Sequence, residues 1–106
     1  QLVQAMLADS QAEIYAAECM VIDAARRRDD GKNVSTEASC SKMFATEMAG
    51  RVADRAVQIL GGSGYVAEFG IERFYRDVRL FRLYEGTTQI QQIIIARNMI
   101  REARAA

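Results

Sequence analysis

From Val3 onward an apolar or small residue returns every three or four positions, at Leu7, Ser10, Ile14, Ala17, Val21 and Ala24, and no glycine or proline interrupts the run before Gly31. This heptad spacing keeps one side of a helix against a neighbour for its whole length, the seam by which antiparallel helices form bundles. A strand alternates every second residue, so the same pattern cannot be satisfied by a sheet. Gly31 supplies the stop, and the Arg26-Arg27-Arg28 run just before it suits the last turn, where cations meet the negative end of the helix dipole.

The same logic carries through the chain. Ser35 is expected to cap a second helix, with Glu37 in its first turn and Cys40, Phe44, Met48, Val52, Ala56 and Ile59 on its buried face. Gly61 and Gly62 end it. A third long helix is expected from Thr87 or Thr88, because Thr88 and Gln91 have capping-box spacing, and it runs through Ile90, Ile93, Ile94, Ile95 and Ile100. Residues 63–86 form a connector with a short helix around Ile71 to Tyr75. The fold class is therefore all-α, an antiparallel helical bundle with three long helices. Ile93, Ile94 and Ile95 are consecutive, so at 100° per residue they cannot all face one neighbour. Another helix, domain or chain is expected to cover what the bundle leaves open.

Composition removes several function classes. The 106 residues carry 14 acidic and 14 basic side chains, with net charge zero, so the clustered cations that bind nucleic acid or an anionic membrane surface are lacking. Histidine is absent and the two cysteines, Cys19 and Cys40, stand far apart, which argues against zinc sites and against histidine-based catalysis. Both cysteines read as small helix residues in a reducing compartment. No stretch approaches the roughly 20 apolar residues of a membrane span, and no secretory signal pattern is present, which suits cytoplasm or mitochondrial matrix. The start at Gln1, in mid-pattern and without methionine, reads as a piece of something longer.

Residues 62–67, "GSGYVA", fit G-x-G-x-x-A, and Glu85 follows at about the distance of a ribose-binding acid. The context excludes a dinucleotide fold, since "RVADRAVQIL" before the glycines is a helix and no parallel sheet can be built after them. The glycines offer either a plain helix stop or backbone that another molecule can approach closely, with N–H groups free to meet phosphate.

Glu85 stands alone in "LYEGTTQIQQ", an acid in an apolar setting just before a helix. Burial beside an apolar ligand raises a carboxylate's pKa from about 4.3, while a following helix N-terminus lowers it. A general base works best with a pKa near the working pH, and this position allows such tuning. Simple charge complementarity to the helix is the alternative.

Residues 58–100, "QILGGSGYVAEFGIERFYRDVRLFRLYEGTTQIQQIIIARNMI", closely resemble the C-terminal signature of the acyl-CoA dehydrogenases in its Q-I-x-G-G-x-G-Y, Y-R-D and Y-E-G-T-x-Q-I-Q elements. The segments "QLVQAMLADSQAEIYAAECMVIDAARRRDDG" and "STEASCSKMFATEMAGRVADRAVQILGG" resemble the two helices preceding that signature. The resemblance implies the last three long helices of a C-terminal four-helix bundle, without the bundle's first helix, the middle β domain or the N-terminal domain. It implies a homo-oligomeric FAD enzyme, dimer or tetramer, that desaturates acyl-CoA thioesters between the α and β carbons, with an electron-transfer flavoprotein as electron acceptor. Glu85 matches the glutamate that removes the α-proton, and its N–H matches a donor to the thioester carbonyl. Gln58 and Gly62 match contacts to the FAD of a neighbouring subunit, and Thr87 and Gln89 match positions near the FAD adenosine portion. Tyr84 and Gly86 match the loop shaping the acyl pocket. Arg76 and Asp77 are expected to form a structural ion pair. A chain limited to these residues is expected to bind little FAD, to show no dehydrogenase activity and to self-associate. The reading from a different class is a non-catalytic helical module for oligomerisation.

Overall fold

The computed structural model describes all 106 residues, and it contains helices and turns with no strand. Helix α1 spans Leu2–Asp29 and α2 spans Ser35–Leu60. The connector holds a single turn, α3 (Gly62–Tyr65), a 3-10 turn at Ala67–Phe69, helix α4 (Ile71–Arg79) and a second 3-10 turn at Leu80–Arg82. Helix α5 spans Thr88–Ala105. The short helix expected near residues 71–75 is thus longer, and most of the connector before Leu83 is wound rather than open.

Helix α2 is the spine, and α1, α4 and α5 all pack on it. The side-chain ties give the directions. Arg27 reaches Glu37 near the start of α2, and Glu13 takes Arg55 and Arg51 near its end, so α1 runs antiparallel to α2. Thr88 bonds Glu47 while Asn98 bonds Ser35 and Thr36, so α5 is antiparallel to α2 as well. The connector returns along the second half of α2. Its closest approach is at Gly64, where a Cβ would stand 2.5 Å from the Val57 carbonyl oxygen and 2.9 Å from Val57 Cα. Only glycine fits there.

The buried side chains are mainly small: Ala17 and Ala24 of α1 and Ser39, Ser41 and Ala53 of α2, with Met48 the largest. Small residues let helix axes approach, and the Ser41 hydroxyl is satisfied within its own helix, its Oγ donating to the Glu37 carbonyl at 2.8 Å. The expected buried face of α2 holds, since Cys40, Phe44, Val52, Ala56 and Ile59 are all at least half-buried around Met48. The seam of α1 holds only in part. Ala17 and Ala24 are buried, Ser10 and Ile14 half-buried, and Val3, Leu7 and Val21 exposed, because one neighbouring helix covers a narrower strip than a bundle does.

Three local expectations are corrected. Val34, not Ser35, occupies the N-cap of α2, and the Ser35 N–H instead donates to Asn33 Oδ1 at 3.0 Å. The N-cap of α5 is Thr87, whose Oγ1 accepts from the Ile90 N–H at 3.2 Å. Asp77 pairs with Arg73 one turn earlier, at 3.7 Å, rather than with Arg76, since neighbours in a helix diverge by 100° and residues four apart align.

The molecule measures 54 × 26 × 23 Å. It exposes 7748 Å², where a compact monomer of its mass exposes about 5,900 Å². Ile93 faces outward as the run of three isoleucines required, joined by Ile90, Met99 and Ile100 on α5 and by Leu2, Leu7 and Ile22 on α1. No helix is long and apolar enough to cross a membrane.

Candidate active site

Residues 83–87 link the second 3-10 turn to α5, and α2 grips this loop at both ends. Lys42 Nζ donates to the Phe81 carbonyl at 2.7 Å and to the Gly86 carbonyl at 2.6 Å. One turn further along α2, Glu47 accepts from Thr88 Oγ1 at 2.7 Å with one carboxylate oxygen and from Arg82 Nη1 at 3.2 Å with the other. The hydrogen bond from Thr88, and then Arg82, holds the Glu47 carboxyl below the usual carboxylate range. The Nε of Arg82 is buried without a partner. The rings of Phe81 and Tyr84 stack with centroids 5.9 Å apart, stiffening the approach to the tip.

At the tip the backbone turns left-handed twice. Glu85 has φ +53°, the only non-glycine residue with positive φ, and Gly86 follows at φ +83°. Glycine is favoured at 86 by the left-handed dihedral, and a Cβ there would also push aside the Gln91 Nε2, 2.6 Å away. Glu85 tolerates a conformation that costs an ordinary side chain on the order of 1 kcal/mol. Its carboxylate is exposed and has neither ion-pair nor hydrogen-bond partner in the chain, and its N–H donates to no group of the chain. The acid and one backbone donor of the same residue are therefore both left without a partner inside the chain.

The remaining sequence-predicted residues fall into two groups. Tyr84, Glu85, Gly86, Thr87 and Gln89 are contiguous on the loop and the first turn of α5, with Tyr84 and Gln89 exposed and Gly86 and Thr87 half-buried. Gln58 and Gly62 are exposed at the far end of α2, about eleven residues past Glu47, or roughly 16 Å along the axis. Nothing lies within 4 Å of where a Cβ at Gly62 would stand, so the close backbone approach belongs to Gly64 inside the chain, and Gly62 is open to an outside group. A groove of about 1180 Å³ between α2 and α4 is lined by Val57, Tyr65, Tyr75 and Leu83 among others and includes none of the predicted site residues. The two groups thus make two separate contact patches.

Residues 1–100 match the sequence profile of the acyl-CoA dehydrogenase C-terminal domain. The chain belongs to the acyl-CoA dehydrogenase family. This acyl-CoA dehydrogenase domain is 41% identical over 102 residues to the caffeyl-CoA reductase–Etf complex subunit CarC of Acetobacterium woodii, covering 96% of the chain and 27% of that relative. It is 45% identical over 101 residues to the probable acyl-CoA dehydrogenase YngJ of Bacillus subtilis, covering 95% of the chain and 27% of the relative. Among solved structures, butyryl-CoA dehydrogenase from Megasphaera elsdenii superimposes with a TM-score of 0.89 at 35% identity, over 92% of the chain and 25% of that structure. The domain spans about a quarter of the length of the relatives it matches.

Sequence reasoning missed two residues of this acyl-CoA dehydrogenase domain that build the loop, Lys42 and Glu47. A signal was available. From Ala38 to Gly50 they are the only charged residues, and only Ala38 of that stretch is exposed, so each charge had to meet a partner inside the fold.

Proposed function

We propose that the chain provides the base-bearing loop of an FAD-dependent acyl-CoA dehydrogenase, with Glu85 as the catalytic base. The observation that carries this reading is the state of Glu85: an unpaired carboxylate and an unpaired N–H at the tip of a loop whose two ends are fixed to α2. The carboxylate takes the α-proton of the acyl-CoA. The Glu85 N–H donates to the thioester carbonyl, and charge developing on that oxygen is stabilised as the α-carbon loses its proton. Tyr84 and Gly86 flank the acyl chain. FAD, when bound, supplies the acceptor for the hydride that leaves the β-carbon, so the α,β bond becomes a double bond and two electrons pass to the cofactor.

The residues present suit a long cofactor that touches the surface in two places. Thr87 and Gln89 are at one patch, Gln58 and the open backbone of Gly62 at the other. The rest of the flavin site and the acyl channel then belong to other parts of the enzyme or to a second subunit of a dimer or tetramer. The broad exposed apolar surface of α1 and α5 favours an assembly role alongside the catalytic one. An electron-transfer flavoprotein fits as the electron acceptor, in keeping with the name of the relative CarC, and a reducing compartment, cytoplasm or mitochondrial matrix, fits the two free cysteines.

The test is an anaerobic visible spectrum of the full-length flavoprotein, wild type and Glu85→Gln, before and after a panel of acyl-CoAs. Bleaching of the flavin in the wild type with a loss of at least about 10³-fold in rate in the variant is expected. Equal bleaching in both forms removes Glu85 from the mechanism, and a protein without flavin favours the assembly module alone.

A further inference from the structure

We propose that Lys42 is a positioning residue for this reaction, a staple that sets where the Glu85 carboxylate stands by holding the carbonyls of Phe81 and Gly86 on one ammonium group, with Glu47 fixing the neighbouring residues Arg82 and Thr88. The proposal rests on the reading of Glu85 as the base.

Three observations carry it. First, the two carbonyls bracket the base, one four residues before Glu85 and one immediately after it, so a single nitrogen closes the loop at its neck. Second, the staple outweighs the loop's other support. The only other bonds to this stretch after Tyr84 and before the α5 cap are from Gln91 Nε2, at 3.4 Å to the Glu85 carbonyl and 3.5 Å to the Gly86 carbonyl. Lys42 makes charge-assisted bonds at 2.6 and 2.7 Å, and at these separations the shorter, charged pair dominates. Third, Lys42 takes no part in docking the helices. Helix α1 is tied to α2 through Glu13 with Arg51 and Arg55, and α5 through Glu47 with Thr88 and through Asn98 with Ser35 and Thr36. Removing the ammonium frees the loop and leaves the helices in place. The freed carbonyls lie near the surface, where water can replace the lost donor. What is lost is register: Glu85 is strained in its left-handed conformation, and without the staple it relaxes toward other backbone conformations that aim the carboxylate elsewhere.

Misplacing a catalytic group by about 1 Å can cost on the order of 10²-fold in rate. The experiment compares wild type, Lys42→Met and Glu85→Gln of the full-length flavoprotein for FAD content, melting temperature, kcat and KM with an acyl-CoA. Lys42→Met is expected to keep its FAD and melt near the wild type, with kcat down about 10²-fold and KM within a few-fold. A wild-type kcat in Lys42→Met, with Glu85→Gln inactive, overturns the staple and leaves the base assignment standing. A normal kcat in Glu85→Gln overturns the base assignment itself, and the staple with it. If Lys42→Met fails to fold, Lys42→Gln, which keeps most of the side chain's length but not its charge or reach, takes its place: kcat lowered at unchanged KM with full FAD supports the staple, and a wild-type kcat overturns it.

Discussion

Glu85 concentrates two demands that oppose each other. A side chain at φ +53° is strained, and glycine there is not. Replacing Glu85 by glycine should therefore raise stability by up to about 1 kcal/mol relative to Glu85→Gln, which keeps the strain. Both variants should be inactive. Melting temperatures of the two proteins check this, and a less stable glycine variant would show that the loop carries no strain there. The residue also marks the limit of what spacing reveals. Its isolation among apolar neighbours was visible in the chain, and so was the glycine after it. The left-handed turn was not, because it depends on Lys42 reaching carbonyls 39 and 44 residues away. Thr88 was misread for the same reason: a hydroxyl with capping-box spacing was captured by Glu47 across the fold, and Thr87 took the cap.

At the scale of the helices, apolar periodicity placed α2 correctly because α1, α4 and α5 all pack on that helix. It overstated α1, where spacing defines a face but cannot say how much of the face is covered. Two of the polar ties between helices rest on carboxylates, Glu13 and Glu47. The hydrogen bond from Arg55 holds the Glu13 carboxyl below its ordinary value, and that from Thr88 does the same for Glu47. A depressed carboxylate contributes stability that is complete above the ordinary value near 4.5 and is lost as pH falls through the lower, folded value. Thermal unfolding midpoints should therefore drop as pH falls below about 4.5 in the wild type, and drop less steeply in Glu13→Gln and Glu47→Gln, which start lower and have less to lose. Parallel curves for all three proteins would mean that these contacts do not tie the helices in solution.

For the molecule as a whole, exposure is the governing fact. A total surface of 7748 Å², with isoleucine and methionine facing water on α5, is more than a compact chain of this mass exposes. The 106-residue chain, prepared alone, should self-associate in sedimentation velocity at micromolar concentration, and a sharp monomer boundary would count against that expectation. The three consecutive isoleucines announced such a cover in the sequence, but which helices stay bare depends on how they are arranged around α2. In that arrangement α1 and α5 each lean on α2 and do not pack on one another. Lys42 and Glu47, which set the loop, point from α2 as well. The outer sides of α1 and α5 can therefore be re-cut by mutation to suit different neighbours while the proton-abstracting loop keeps its register, since the ruler against which that loop is set lies on a helix that those outer sides never reach.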